Sequence, residues 1–231
     1  MGSGDAQRYV PVRPALRRTA AEALAFLRPN AALTVDPALP RGSGQPVLVL
    51  PVIGRGDDHA APMRAALDQL GYRAFGWGLG TNIGPSSRVL AGIEDRLSML
   101  HAAHGPINVV GFSLGGIFAR RLAHRQPEKV RQVITVCSPF REAVHSAFLP
   151  LQPVLWAWRT PNLLAVAAAV EQRLPVPGTF IFSRNDGIVA WESCLEPEQP
   201  GDCAEISGLH VTIVRDPEVL AILAHRLGRE R

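Results

Sequence analysis

Lysine is almost missing from this chain: of 24 lysines and arginines, only Lys129 is a lysine. The arginines are scattered, with their densest set at Arg8, Arg13, Arg17, Arg18 and Arg28. No basic stripe with interleaved aromatics forms, so the net charge of +4 reads as a solvated surface and no nucleic-acid partner is expected. Cysteine is equally sparse. Cys137, Cys194 and Cys203 have no CxxC spacing, so no metal site is expected. Cys194 and Cys203 enclose eight residues, a loop that a disulfide closes in an oxidising compartment and that stays as two thiols in a reducing one. Long apolar runs are absent too. The longest outside the strands, PNLLAVAAAV (161–170), is too short to span a bilayer, so a soluble protein without an integral membrane segment is expected. The first 29 residues contain no apolar stretch of leader length. A cytoplasmic location is the expectation, or an extracytoplasmic one if the chain is a shortened form. With 47% hydrophobic and 19% charged residues, a well-buried core is expected and disorder is not.

What is present alternates between strand and helix patterns. RPALRRTAAEALAFLR (13–28) has helical apolar spacing at Leu16, Ala20, Leu24 and Leu27, and Pro29 and Pro37 end it. QPVLVLPVI, after a GSG turn, is a continuous apolar run that suits a strand buried on both faces. A helix is expected over 59–70 with Gly71 as its C-cap, then a strand YRAFGWG (72–78) and a glycine-rich loop. A longer helix follows over 86–104, capped by Ser86 or Ser87. INVVGF (107–112) reads as a strand, LGGIFARRLAHRQP (114–127) as a helix stopped by Pro127, and VRQVITVCSPF (130–140) as a strand. Residues 141–176 break the alternation, with Trp156, Trp158 and several prolines. Strands resume at TFIFSR (179–184) and EISGLH (205–210), and a helix with Asp216 as N-cap and Pro217 at its first position closes the chain. This order predicts an α/β fold with a mainly parallel sheet and helices on both faces. The organisation read from it is an N-terminal helix and linker (1–44) and a main domain (45–231) with a cap inserted at about 141–176.

The chemistry begins at GFSLGG (111–116). Gly-x-Ser-x-Gly is a short pattern, and its weight depends on context. A buried strand precedes Ser113 and a helix follows, so the serine sits on a sharp turn where side chains at positions 111 and 115 would clash. The alternative is a tight strand–helix junction with an inert serine. A serine hydroxyl needs a base, and the base needs a carboxylate to orient it. Asp186, in Asn-Asp-Gly just past one strand, and His210, at the end of EISGLH, follow in that order. Asp186 also fits a plain turn-former. Asp202 and Glu205 are weaker candidates for the acid, and His225 and His145 for the base. His101 and His104 read as surface histidines. The Leu114 N–H, at the helix start, is one candidate donor to an oxyanion. Ile53 in the PVIGRG loop is the second, with Gly54 behind it.

GFSLGG, SRNDGIVAW and GLH in this order resemble the α/β-hydrolase superfamily. YRAFGWGLGTNIGP and VRQVITVCSPFR are similar to segments of a group of small bacterial serine esterases and lipases. The resemblance covers about residues 45–228. It implies an α/β-hydrolase fold with a small helical cap, a Ser113–His210–Asp186 triad, hydrolysis of small-molecule or lipid-like carboxylic esters, and no metal or organic cofactor. It also implies a disulfide between Cys194 and Cys203. Thioesterase or acyltransferase chemistry on the same triad, and a non-catalytic binding module, stay open as alternatives. Phe112, Trp156, Trp158, Leu163 and Leu164 are expected to line an acyl pocket or lid, the cap residues equally fitting core packing. The sequence departs from the group in reading Pro51-Val52-Ile53-Gly54 after the first strand, in carrying Cys137 where glycine is usual, and in placing Val211 after the base.

Overall fold

The computed structural model describes residues 11–26, 33–141, 166, 169–196 and 202–228. Six strands form one sheet: β1 (Pro46–Leu50), β2 (Arg73–Gly76), β3 (Ile107–Phe112), β4 (Val130–Val136), β5 (Gly178–Ser183) and β6 (Cys203–Ile206). Their order is β2-β1-β3-β4-β5-β6, and every pairing is parallel. The helices are α1 (Leu16–Phe26), α2 (Asp57–Gln69), α3 (Ser87–His104), α4 (Leu114–Arg125) and α5 (Pro217–Leu227).

Side chains alternate across a strand, so β1 feeds two cores. Val47 and Val49 face the layer of α2 and α5, where Met63, Leu67, Leu220 and Leu223 are buried with them. Leu48 and Leu50 face α3 and α4, against Ile93, Leu97, Phe118 and Leu122. Burial of each such side chain contributes roughly 1.5–3 kcal/mol. This two-sided burial is why the strands read as unbroken apolar runs rather than as alternating ones. Among the described residues, no helix is long and apolar enough to cross a membrane.

From β1 the chain moves outward to β2, then returns through α3 to β3 on the other side of β1. The direction of winding therefore reverses between β1 and β3, and a crevice opens beyond their carboxyl ends. Two expected candidates, the PVIG loop after β1 and Ser113 after β3, meet there.

Element positions follow the sequence reading closely, with three corrections. The strand expected over 205–210 ends at Ile206. Ser207, Gly208 and Leu209 form a loop, and His210 opens a 3-10 turn (His210–Arg215). His210 leaves the strand pattern because its backbone N–H donates to a side chain of α1 instead of to a neighbouring strand. The second correction concerns α1 itself. Leu16 and Leu24, two of the residues that gave the helical apolar spacing, are 80% and 63% exposed, while Glu22 is buried. The third is the cap of α2, which falls on Leu70; Gly71 stands one residue beyond, at φ 91°. Ser86 caps α3 by accepting from the Val89 N–H, and Asp216 caps α5 by accepting from the Glu218 N–H.

Most of the segment 141–176 lies outside the described residues. Its returning end is anchored: Val166 and Val170 are buried beside Phe140 and Phe180. Arg120 of α4 donates from Nε to the Val170 carbonyl at 2.7 Å and from Nη2 to the Gln172 carbonyl at 2.7 Å. Its guanidinium lies 4.0 Å from the centre of the Phe140 ring and pairs with Glu196 at 3.3 Å.

The glycines of GFSLGG are required by contact. A Cβ on Gly111 would run into the Gly115 carbonyl and the Gly116 Cα, both backbone atoms that cannot swing aside. Gly111→Ala is therefore expected to lower unfolding free energy by about 3 kcal/mol, at the upper end of overpacking costs. Gly44→Ala, at φ 91° with open space around it, is expected to cost only about 1 kcal/mol. Urea titrations of the two variants against the parent chain check the difference.

Candidate active site

Ser113 occupies the turn between β3 and α4 at φ 52°, ψ −120°. A non-glycine residue with positive φ stores roughly 1–3 kcal/mol of strain. The conformation is held by a hydrogen bond from the Ser113 N–H to the Val136 carbonyl at 2.8 Å and by the Gly116 N–H donating to the Ser113 carbonyl at 2.9 Å. Gly115 lets α4 come up against the Leu50 and Pro51 carbonyls, where a Cβ would not fit. The first turn of α4 and the loop after β1 are thereby drawn together.

His210 Nε2 lies 3.0 Å from Ser113 Oγ, and His210 Nδ1 lies 2.6 Å from Asp186 Oδ2. Asp186 Oδ1 is taken by the N–H groups of Ile188 and Val189 at 2.8 and 2.7 Å, which fixes the carboxylate's plane. The line Ser113–His210–Asp186 is thus continuous, and all three residues are buried. Burial of the imidazole works to lower its pKa. The Asp186 charge and hydrogen bond, with a further push from the Glu22 charge, outweigh burial and hold His210 above its ordinary 6.5.

The loops that carry Asp186 and His210 are tied to each other. Ser183 Oγ donates to the Gly208 carbonyl at 2.6 Å and accepts from the Asn185 N–H at 3.1 Å. Asn185 Nδ2 donates to the Ser207 carbonyl at 3.0 Å. Asn-Asp-Gly is more than a turn. A Cβ at Gly187 would strike the backbone of Arg18 and Thr19, so glycine is what allows α1 to approach. The other candidates are engaged elsewhere. Glu205 pairs with Arg184 at 3.1 Å, Asp202 with Arg226 at 4.0 Å, and His225 is exposed on α5. His104 stacks on Phe75, with ring centres 5.0 Å apart. His145 lies outside the described residues.

On the opposite wall stands the loop after β1. The N–H groups of Leu114 and Ile53 have no hydrogen-bond partner among the described residues. The Gly54 N–H, the second choice, donates to the Asn82 carbonyl at 2.7 Å and is therefore committed. Asn82 is the residue that sequence reasoning missed here. It is fully buried, its Nδ2 donates to the Pro51 carbonyl at 2.9 Å, and its N–H donates to the Arg55 carbonyl at 2.9 Å. One asparagine thus clamps the whole PVIGR loop. Its signal was the NIGP segment, whose glycine-rich surroundings read only as a loop.

Phe112, expected in the substrate pocket, is wholly buried in the core with Val110, Ile134 and Val136. Its side chain is therefore enclosed by core residues. Trp156, Trp158, Leu163 and Leu164 lie outside the described residues. Cys194 and Cys203 are free thiols in one small apolar cluster, so the disulfide implied by the resemblance is not formed here.

Cys137 Sγ, an Asp186 oxygen and a His210 nitrogen lie within 4.8 Å of one another, the one compact group of metal-capable donors among the described residues. Both Asp186 oxygens and both imidazole nitrogens already face partners, as given above. A cation there would have to displace the Ser113 or Asp186 contact of His210. Cys137 is no rival nucleophile either: burial, then the Asp186 charge, push its thiol well above 9.0 and keep it protonated. Its φ of 47° accounts for the glycine expected at that position.

A profile of the α/β-hydrolase fold matches residues 88–171. The chain has the α/β-hydrolase fold. A structure described with LipS and LipT, two metagenome-derived lipolytic enzymes, superposes on it with a TM-score of 0.63 at 17% identity, covering 86% of this chain and 100% of the other. A monoacylglycerol lipase from Paleococcus ferrophilus has a TM-score of 0.55 at 17% identity, covering 80% and 94%. The thioesterase domain from the curacin biosynthetic pathway has a TM-score of 0.50 at 16% identity, covering 83% and 92%. No curated protein matches the chain.

The strain at Ser113 has a direct consequence. Glycine normally costs about 0.5–1 kcal/mol relative to alanine, but at this α/β-hydrolase turn the order should reverse. Ser113→Gly is expected to be more stable than Ser113→Ala by about 1–2 kcal/mol, read from thermal melts of the two variants.

Proposed function

We propose that this chain is a serine hydrolase that cleaves carboxylic esters through an acyl-enzyme intermediate, with Ser113 as nucleophile, His210 as general base and Asp186 as the acid that orients it. The observation that carries this reading is the unbroken line of contacts from Ser113 Oγ through His210 to Asp186, at 3.0 and 2.6 Å. In the first half-reaction His210 Nε2 takes the hydroxyl proton as Ser113 Oγ attacks the ester carbonyl. Asp186 keeps the Nδ1 proton in place and stabilises the imidazolium. The Leu114 and Ile53 N–H groups receive the oxyanion of the tetrahedral intermediate. The intermediate collapses, the C–O bond breaks, and His210 returns the proton to the departing alcohol. Water then attacks the acyl-serine by the same route and releases the carboxylic acid. None of these steps calls on a metal or an organic cofactor.

The similarity in fold to lipolytic enzymes fits a small-molecule or lipid-like ester as substrate. The same line of residues also serves thioester cleavage or acyl transfer. Comparing kcat/KM on paired oxygen and thio esters separates these readings. The non-catalytic alternative is disfavoured by a strained serine already aligned on an oriented imidazole.

Ser113→Ala is expected to lower hydrolysis of p-nitrophenyl esters by at least about 10³-fold, and undiminished turnover by the pure variant would remove Ser113 from the mechanism. The pH profile has a definite sign. His210 must be neutral to accept the serine proton, and its pKa is raised. So kcat/KM should rise with pH through one ionisation whose midpoint lies above 6.5. Asn82→Ala releases the Pro51 carbonyl and loosens the loop that carries Ile53. It should lower kcat by about 10- to 100-fold with little change in KM, less than outright loss of an oxyanion donor.

A further inference from the structure

The most unusual polar group outside the Ser113–His210–Asp186 line is Glu22. It is buried on α1, a helix whose leucines at positions 16 and 24 are exposed. Its Oε1 accepts from the Gly187 N–H at 3.0 Å and from the His210 N–H at 2.8 Å. Its Oε2 accepts from the Val211 N–H at 2.9 Å. Gly187 follows Asp186, and Val211 follows His210. One carboxylate therefore joins the loops that carry the acid and the base, from a helix more than 160 residues upstream. Thr19, one turn earlier on the same helix, adds a hydroxyl donated to the Gly187 carbonyl at 2.9 Å. An ionised carboxylate suits the position because it offers acceptors only and faces only donors. A structural cap would need to bond one loop; this one bonds both, and bonds the backbone of the base itself.

We propose that Glu22 is a positioning residue of the active site: it sets the His210 and Asp186 loops against each other and places a fixed negative charge beside the imidazole. The proposal rests on the serine-hydrolase reading above. Holding a reacting group to within a fraction of an ångström is worth as much as 10²-fold in rate. The charge adds a second effect, because it favours the imidazolium that forms when His210 takes the serine proton. Among the described residues, further titratable groups stand on the elements packed around the imidazole. Asp186 faces Nδ1 from the loop after β5, and the Cys137 thiol at the end of β4 stays protonated. From α2, packed on the 3-10 turn, His59 is lowered by burial and by Arg55 and Arg215 to about 4 and is neutral at working pH. From α5, Asp216 is tied to the Glu218 N–H and Glu218 to Ser207.

The test is kcat and KM for a p-nitrophenyl ester measured across pH for the parent chain, Glu22→Gln, Glu22→Asp, Thr19→Val and Ser113→Ala. Glutamine keeps an oxygen for Gly187 and His210 but turns an NH2 toward the Val211 N–H, and it removes the charge. Glu22→Gln should lower kcat by about 10- to 100-fold with KM little changed, and shift the acid limb of kcat/KM to lower pH. Glu22→Asp should restore part of the loss, with its midpoint between the other two. Thr19→Val, which keeps the charge, should leave the midpoint where it is. A folded Glu22→Gln with parental kcat and parental midpoint would overturn the proposal. So would a loss matched by loss of folded protein at an unmoved midpoint, which is the signature of a purely structural role. If Glu22→Gln does not fold, Glu22→Asp decides alone: reduced kcat with a lowered midpoint supports the role, and parental values of both overturn it. Ser113→Ala separates the two levels. If it retains full activity, the serine-hydrolase reading and this proposal fall together. If it is inactive while Glu22→Gln behaves as the parent, only the role of Glu22 falls.

Discussion

Everything in this site depends on one contact, the 2.6 Å approach of Asp186 Oδ2 to His210 Nδ1. On the proposed reading, that contact keeps the proton on Nδ1 and leaves Nε2 to accept one from Ser113. It is made between two segments that follow different strands: Asp186 lies in a turn after β5, and His210 opens the 3-10 turn after β6. The surrounding architecture brings them together: parallel β5 and β6 end side by side, Ser183 and Asn185 bridge the loops, and Glu22 joins them from α1. A desolvated imidazole would by itself be driven toward a low pKa. The carboxylate beside it reverses that outcome and holds His210 above its ordinary value.

The serine side is built from close backbone approaches, with the Asn82 side chain holding the loop after β1. Gly111 and Gly115 allow β3, α4 and the loop after β1 to approach more closely than any side chain permits. Ser113 is forced into a positive φ as the chain turns between them. Strain at the turn and burial of the imidazole are both costs that the two cores of the sheet offset. In return the hydroxyl faces the His210 imidazole at 3.0 Å.

Much of this was legible in the sequence. Continuous apolar runs gave β1 and β3, and the strand–turn–helix context of GFSLGG gave the serine. Asp186 and His210 were singled out by their order and their places just past strand ends, and the fold brings both into line with Ser113. Glu22 and Asn82 could not be. Their partners are backbone N–H and carbonyl groups far away in the chain, and backbone groups leave no trace in residue types. Helical periodicity in α1 correctly grouped Leu16, Ala20 and Leu24 on one face, but period alone cannot tell which face is buried. The helix docks through Thr19 and Glu22 because three N–H donors await a carboxylate there. Cys137 illustrates the reverse: its departure from an expected glycine was visible, and the reason, a φ of 47°, needed the fold.

The central claim is that Ser113 is made nucleophilic by His210. A p-nitrophenyl phosphonate reports on this directly, since it stops at the covalent stage. The account predicts one phosphonyl group per chain, located on Ser113 by peptide mass mapping, with labelling that slows as pH falls through the ionisation of His210. Labelling at another residue, or at Ser113 with no dependence on that ionisation, would contradict it.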